Sequence, residues 1–243
     1  MRETPSILPL RLEGVGYEAG GRRLLADVHL EVARSARIAV VGPNGAGKSL
    51  TLRIAHGLIA PSAGRVAWSG PAASAARAGR GHAMVFQRPV LLRRSARANL
   101  THALALHGVA RGERRRRADD ALARFGLASL AGAPARVLSG GEQQRLAMAR
   151  AWALSPELIF LDEPTAPLDP AATRGVEDVI RTFQAEGVAT VITTHDLAQA
   201  RRLAEEIVLM HRGRVVEQGP ADCFFTRPQS PEGRAFVAGE LLW

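Results

Sequence analysis

The chain has 243 residues, 47% hydrophobic and 23% charged, with a formal net charge of +9. That fits one large domain, or one domain with an inserted lobe, able to bury a sizeable core. Aromatic residues make up only 5%, which argues against a nucleic-acid surface built on stacked bases. No apolar run approaches the ~20 residues that a membrane-spanning helix needs. The opening MRETPSILPLRLEG has no apolar core followed by a small-residue cleavage site. The single cysteine, Cys223, can make no internal disulfide. The chain is expected to remain in the cytoplasm.

In chain order, Leu10–Val15 and Val28–Val32 read as short strands, and Arg37–Val41 as a buried strand that stops at Gly42. A helix is expected from Gly47 to about Gly57. The alanine-rich stretch Pro71–Ala78 reads as a loop and Ala83–Gln87 as a further strand. From about Pro89 to Ala153 the pattern is mainly helical; Ala118, Ala121, Leu122 and Phe125 share one helix face. Leu158–Leu161 is again a buried strand. Val176, Val179, Ile180 and Phe183 repeat the helical spacing, Thr190–Thr193 is β-branched, and Leu197–Ala204 is helical. Ile207–Met210 and Arg214–Glu217 flank a turn at Gly213, the pattern of a hairpin. Strands alternating with helices imply an α/β fold of the phosphate-loop type: a mostly parallel sheet with an antiparallel β edge and an inserted α-helical subdomain. The expected division of the single domain 1–243 is a nucleotide-binding core at 1–87 and 154–219, a helical subdomain at 88–153 and a short tail at 220–243.

The charge is uneven. Eleven arginines and one acid, Glu113, lie between Arg77 and Arg117. Such a patch suits nucleic acid, anionic lipid, an acidic protein partner, or simply a solvated helix face. Across the chain, 31 arginines accompany a single lysine, Lys48.

That lysine stands in Gly42-Pro43-Asn44-Gly45-Ala46-Gly47-Lys48-Ser49, which matches G-x-x-x-x-G-K-[ST] between a strand and a helix. Glycines let backbone N–H groups wrap phosphates, and the helix start adds a favourable dipole. A compact ammonium fits between phosphate oxygens where a planar guanidinium does not. In this motif Lys48 reaches the β- and γ-phosphates and Ser49 binds Mg²⁺. A second element, Leu158-Ile-Phe-Leu-Asp162-Glu163, is an apolar strand ending in two carboxylates. Asp162 is expected to hold Mg²⁺ through water and Glu163 to polarise the attacking water as general base.

A third element narrows the class. Leu138-Ser139-Gly140-Gly141-Glu142-Gln143, ahead of a helix expected over Glu142–Leu154, resembles the LSGGQ signature of the ABC family of ATP-hydrolysing proteins. A hydroxyl and free N–H groups at a helix start make a second anion site, which in that family serves the nucleotide of the partner subunit. Glu142 replaces the family's more common glutamine. The resemblance, from Leu10 to about Gly219, carries further roles with it. It implies that Gln87 touches Mg²⁺ and water, that His195 is the switch histidine near the γ-phosphate, that Asp169 is the D-loop aspartate, and that Tyr17 stacks on adenine. Two positions depart from the family pattern: Pro167, expected to stiffen the D-loop, and Leu50, within the expected nucleotide-binding stretch, where many members have threonine.

The layout is similar to that of separate ATPase subunits of bacterial importers, and a regulatory β-domain is not expected. The segment Phe86-Gln-Arg-Pro-Val-Leu-Leu-Arg-Arg-Ser most resembles ATPases of tungstate-type importers, ahead of phosphate and amino-acid importers. The resemblance implies ATP and Mg²⁺ as ligands and a second copy of the chain in an ATP sandwich. It also implies transmembrane permease subunits, an extracytoplasmic solute-binding protein, and a place on the cytoplasmic face of the membrane. The solute would be an oxyanion such as tungstate or molybdate, and no nucleic acid would be bound. Arg88, Arg93, Arg94 and Arg97 are expected to form a docking surface, and Arg114–Arg117 mostly to face water. The competing class is a soluble ABC ATPase of the iron–sulfur assembly type.

Overall fold

A computed structural model describes residues 6–71, 73, 81–166 and 168–240. Most of the alanine-rich stretch, Arg77, Arg80 and Pro167 lie outside them, and with Pro167 the stiffening expected of the D-loop. The chain opens with β1 (Leu10–Ala19), β2 (Arg22–Val32), β3 (Arg37–Val41), α1 (Lys48–His56), β4 (Ala63–Trp68) and β5 (His82–Val85). Then come α2 (Ala96–Leu106), α3 (Arg111–Arg124), α4 (Gly140–Trp152), β6 (Leu158–Asp162), α5 (Pro170–Ala185), β7 (Ala189–Thr193) and α6 (Leu197–Leu203). It closes with β8 (Glu206–His211), β9 (Arg214–Pro220), α7 (Ala221–Thr226) and α8 (Pro231–Val237).

The strands make two sheets. One has the order β5-β6-β7-β3-β8-β9; its first five strands run parallel and β9 pairs antiparallel on β8. Parallel strands are covered on both faces, and the fully buried runs of β6 and β7 read accordingly as unbroken apolar or β-branched stretches. The other sheet, β2-β1-β4, is antiparallel. Here β1 and β2 are longer than their apolar segments announce, because Gly20-Gly21, both at positive φ, close them into a hairpin with Ala19 opposite Arg22. Strand β4 escaped the sequence reading: its side chains are half or fully exposed, so it shows no apolar alternation, and it is a strand only because β1 offers it an edge.

Apolar packing joins these layers. One cluster fills the space between the antiparallel sheet, α1 and β3, with Leu10, Val15, Leu25, Val40, Leu52 and Phe160 among its members. A second runs from Val85, Ile159 and Leu161 on the main sheet into Leu100, Leu104, Leu122 and Leu146 on the helices. The helical stretch therefore shares one continuous core with the sheet. A third lies under α7 and α8, around Phe224. The segment read as a short tail thus holds two helices, tied to β9 where Glu217 accepts hydrogen bonds from the Gln229 and Ser230 amides.

Candidate functional site: a phosphate-loop cleft

Strand β3 lies between β7 and β8, and delivers the chain to Gly42 at the centre of the sheet edge. Gly42 stands at φ 142°, where a Cβ would come 2.1 Å from the Met210 carbonyl oxygen. Gly47 is at φ 102° and opens α1, with Leu25 Cδ2 where its Cβ would go (2.6 Å). Only glycine meets both demands, and the loop between them lays its amides at the start of α1.

Lys48 is 5% exposed. Its Nζ donates to the carbonyls of Gly42 (2.8 Å) and Pro43 (3.1 Å) and lies 3.9 Å from Glu163 Oε1. Burial pulls its ammonium below the usual lysine range, against the pull of Glu163 and Asp162 that holds it up. Ser49 Oγ donates to Asp162 Oδ1 at 2.7 Å, and Thr193 Oγ1 donates to the same oxygen at 2.8 Å. The other Asp162 oxygen faces Arg53 Nη2 at 3.8 Å.

Glu163 departs from ordinary backbone geometry, at φ 43°. That costs a non-glycine residue about 1–3 kcal/mol and persists where neighbours over-determine it. Here the Glu163 amide is held by Thr193 twice, at the side-chain oxygen (2.9 Å) and the carbonyl (3.2 Å). The turn swings the carboxylate into the cleft, where His195 Nδ1 (3.4 Å) and Gln87 Nε2 (3.5 Å) both face Oε2. Four separate elements thus meet: the phosphate loop, the end of β6, the segment after β5 and the segment after β7. The cleft they enclose, about 600 Å³, is lined by Asn44, Gly45, Ala46, Gly47, Lys48, Ser49, Leu50, Gln87, Glu163 and His195, with Leu24 and Ala166.

Of the sequence-derived candidates, Gly42 and Pro43 stand behind this lining as acceptors for Lys48, and Asp162 behind Ser49. Tyr17 is not in the cleft lining. It opens on a second cleft with Gly16, Glu18, Arg23 and Ser62, which shares Leu25 as a wall with Gly47. Ser139, Gly140, Gly141 and Glu142 are also elsewhere. Ser139 caps α4 in a reciprocal box with Glu142, which holds the Glu142 carboxyl below its usual range through hydrogen bonds from Ser139. Gly140 and Gly141 face Leu168 and Ala172, a Cβ at Gly141 coming 2.8 Å from Ala172 Cβ. Asp169 caps α5, accepting from the amides of Ala171 and Ala172. The segment Ser139–Glu142 therefore lies against Leu168 and the start of α5, outside the lining of the phosphate-loop cleft. Thr193 and Arg53 were missed from sequence: a threonine in a β-branched strand signals propensity, and one arginine among 31 signals nothing.

An α/β sheet with a phosphate loop after its central strand, and with a serine, an aspartate, a glutamate and a histidine gathered at its mouth, defines a nucleotide-binding protein of the phosphate-loop class. A sequence profile of the ABC transporter family matches residues 25–166. The tungstate uptake system ATP-binding protein of Peptoclostridium acidaminophilum is 39% identical over 208 residues, 85% of this chain and 94% of that protein. A phosphate import ATP-binding protein of Natronomonas pharaonis is 35% identical, across 96% of this chain and 88% of its own length. A methionine import ATP-binding protein of Corynebacterium diphtheriae is 34% identical, across 96% and 72%. A solved structure described as the ATP-binding subunit of an ABC transporter superposes with a TM-score of 0.81 at 26% identity, covering 96% of this chain and 99% of that one. The chain belongs to the ABC transporter family, as an ATP-binding, ATP-hydrolysing subunit.

Proposed function

We propose that this subunit powers the import of a tetrahedral oxyanion, tungstate or molybdate. It would work as a homodimer on the cytoplasmic face of the membrane, with permease subunits and an extracytoplasmic solute-binding protein. The observation that carries the solute is the 39% identity to a tungstate uptake ATPase over nearly all of that protein's length. The phosphate import relative, at 35%, points to the same class of anion. Among the described residues no helix is long and apolar enough to cross a membrane, so membrane-spanning subunits would have to supply the path.

The residue roles are those that the family resemblance implies, and the geometry around the phosphate loop supports them. The loop amides and Lys48 bind the phosphates; on binding, Lys48 exchanges the Gly42 and Pro43 carbonyls for phosphate oxygens. Ser49 and Asp162, oxygen donors 2.7 Å apart beside the loop, suit a hard cation such as Mg²⁺, with Gln87 completing the set. Bound there, Mg²⁺ would neutralise charge on the β- and γ-phosphates. Glu163 takes the proton of the attacking water, and His195 and Gln87 orient that carboxylate and the γ-phosphate. Tyr17 stacks on adenine across the Leu25 wall. Ser139, Gly140, Gly141 and Glu142 meet the partner's nucleotide and Asp169 the partner's loop, which accounts for their distance from the chain's own cleft. Residues 88–153 act as the lobe that moves with nucleotide state, against the core of 1–87 and 154–219.

Deleting the gene should lower cellular tungsten or molybdenum at trace supply, read by elemental analysis, and the cloned gene should restore it. Unchanged metal content with lost phosphate or methionine uptake would move the assignment to that importer class, which the phosphate and methionine import relatives represent.

A further inference from the structure

Two carboxylates among the described residues are almost wholly out of water, each 2% exposed: Asp162, behind Ser49 at the back of the phosphate-loop cleft, and Glu177 on α5, away from it. A buried carboxylate persists only with donors on its oxygens, and Glu177 has them. Arg202 grips it as a fork, Nη2 2.6 Å from Oε1 and Nε 3.1 Å from Oε2. Arg181 Nη2 stands 3.5 Å from Oε2 and Gln199 Nε2 3.4 Å from Oε1. Since a carboxylate only accepts, the Gln199 nitrogen must be the atom that faces it. The same nitrogen donates to Thr165 Oγ1 at 2.8 Å, while the buried Gln199 Oε1 has no donor on it. Gln199 therefore holds both neighbours through one atom, with the Glu177 charge as the fixed point.

The placement of these partners gives the cluster its meaning. Arg202 and Gln199 are on α6, whose cap Asp196 follows His195 directly and accepts from the Gln199 amide. Thr165 lies in the segment from Glu163 to Asp169, and Asp169 caps α5, the helix that carries Glu177. Helix α6 has seven residues, too few to hold a position by its own hydrogen bonds. On one side it is not wedged by packing either: a cleft of about 590 Å³ opens there, bordered by Leu168, Pro170, Asp196 and Arg202.

We propose that Glu177 is a positioning residue for ATP hydrolysis. Through Arg202, and through Gln199 to Thr165, it sets the rotation and height of α6 on α5, and so places His195 against Glu163 and the loop that ends at Asp169. An apolar contact of equal size would bury area without fixing register, whereas a guanidinium fork fixes distance and direction together. The proposal rests on the roles given above to Glu163 and His195.

The test uses the full-length subunit with saturating ATP and Mg²⁺, and two variants. Glu177→Gln keeps the shape and removes the charge; Arg202→Lys keeps the charge and removes the fork. Each should leave nucleotide affinity within roughly 3-fold and lower kcat by roughly 10-fold or more, a split that loss of a placed catalytic group produces and general loosening does not. Combined with His195→Ala, Arg202→Lys should add no further loss, because both act through the same group. Wild-type kcat in Arg202→Lys would overturn the proposal. So would affinity and kcat falling together in proportion to the folded fraction, or losses that multiply with His195→Ala. Should Glu177→Gln fail to fold, Arg202→Lys decides alone, since it leaves no buried charge unpaired. His195→Ala at wild-type rate would instead remove the role given to His195, and that failure shows before any Glu177 variant is read.

Discussion

Glu163 holds an unfavourable backbone conformation so that its carboxylate meets His195, Gln87 and Lys48 at once. Glu163→Gln keeps the shape and the Thr193 bonds to its amide but cannot take a proton. Its kcat should fall by about 10²–10⁴-fold, the worth of a positioned general base. ATP should still bind, and size exclusion with ATP and Mg²⁺ should show a dimer. Lys48→Ala should instead lose nucleotide binding, checked by equilibrium titration with a fluorescent nucleotide. A different residue sets a pH limit. His56, at the end of α1, lies edge-on to the His82 ring with centroids 4.5 Å apart. Burial, and then the neighbouring His82, lowers its pKa to about 4. The unfolded histidine takes its proton near 6.5 and the folded one only near 4, so the unfolded state gains protons first as pH falls. Stability should therefore be fully present above about pH 6.5 and decline between about 6.5 and 4, by about 2 kcal/mol at pH 5. Urea denaturation at pH 8 and pH 5 checks this, and His56→Phe should flatten the difference.

In the proposed site the phosphates are held by the turn from β3 into α1, and its glycines are unequal. At Gly42 an added methyl would strike the Met210 carbonyl oxygen at 2.1 Å, whereas at Gly45, also at positive φ, nothing lies within 4 Å. Gly42→Ala should cost on the order of 2–4 kcal/mol and abolish ATP binding, because a backbone atom cannot yield. Gly45→Ala should cost about 1 kcal/mol, the backbone penalty alone. Denaturant midpoints and nucleotide titrations on both variants check the order. The site's elements were legible from sequence to different degrees. β3, β6 and β7 announce themselves because buried parallel strands are runs of apolar or β-branched residues. Helix α4 begins at Gly140, two residues before the Glu142 expected from sequence, because Ser139 caps it and the two glycines form its first turn. Strand β4 left no trace, because an exposed strand has no apolar period to show.

For the whole molecule, the arginine-rich stretch resolves into parts. Arg115, Arg116 and Arg117 pair with Asp119, Asp120 and Glu113 along α3, and Arg114 donates to the Val109 carbonyl. Three of these arginines are thus answered by acids of the same helix, as on a solvated helix face. Arg97, expected to be a docking residue, is engaged inside the chain: its Nε donates to Asp119, joining α2 to α3. Arg88, Arg93 and Arg94 are exposed, and among the described residues no acid answers them. They stand near Val90, 66% exposed, so the surface after Gln87 offers charge and an apolar side chain together. Reversing Arg93 and Arg94 to glutamate should leave the subunit's ATPase rate within about 2-fold, since neither touches the cleft, while copurification with the permease and solute uptake should fall about 10-fold or more. Tight, salt-sensitive DNA binding by the wild type, lost in that double variant, would point to nucleic acid instead.

From sequence alone come the α/β class, the phosphate loop, the paired carboxylates and the signature segment. Each is a local pattern in which residue type, spacing and the flanking strand or helix are all written along the chain. The sole lysine at position 48 sharpens the first of these. Tertiary structure alone decides what those patterns face. It turns Glu163 toward His195 and Gln87, puts the Thr193 hydroxyl between the Asp162 carboxylate and the Glu163 amide, and sets Gly140 against Leu168 and Gly141 against Ala172. It also sinks Glu177 beneath Arg202, 25 residues away in sequence. No periodicity encodes such pairs, because they depend on where separate strands end and on how a short helix sits on a long one. Those positions are settled by the shared apolar core and by the need to pair every buried charge.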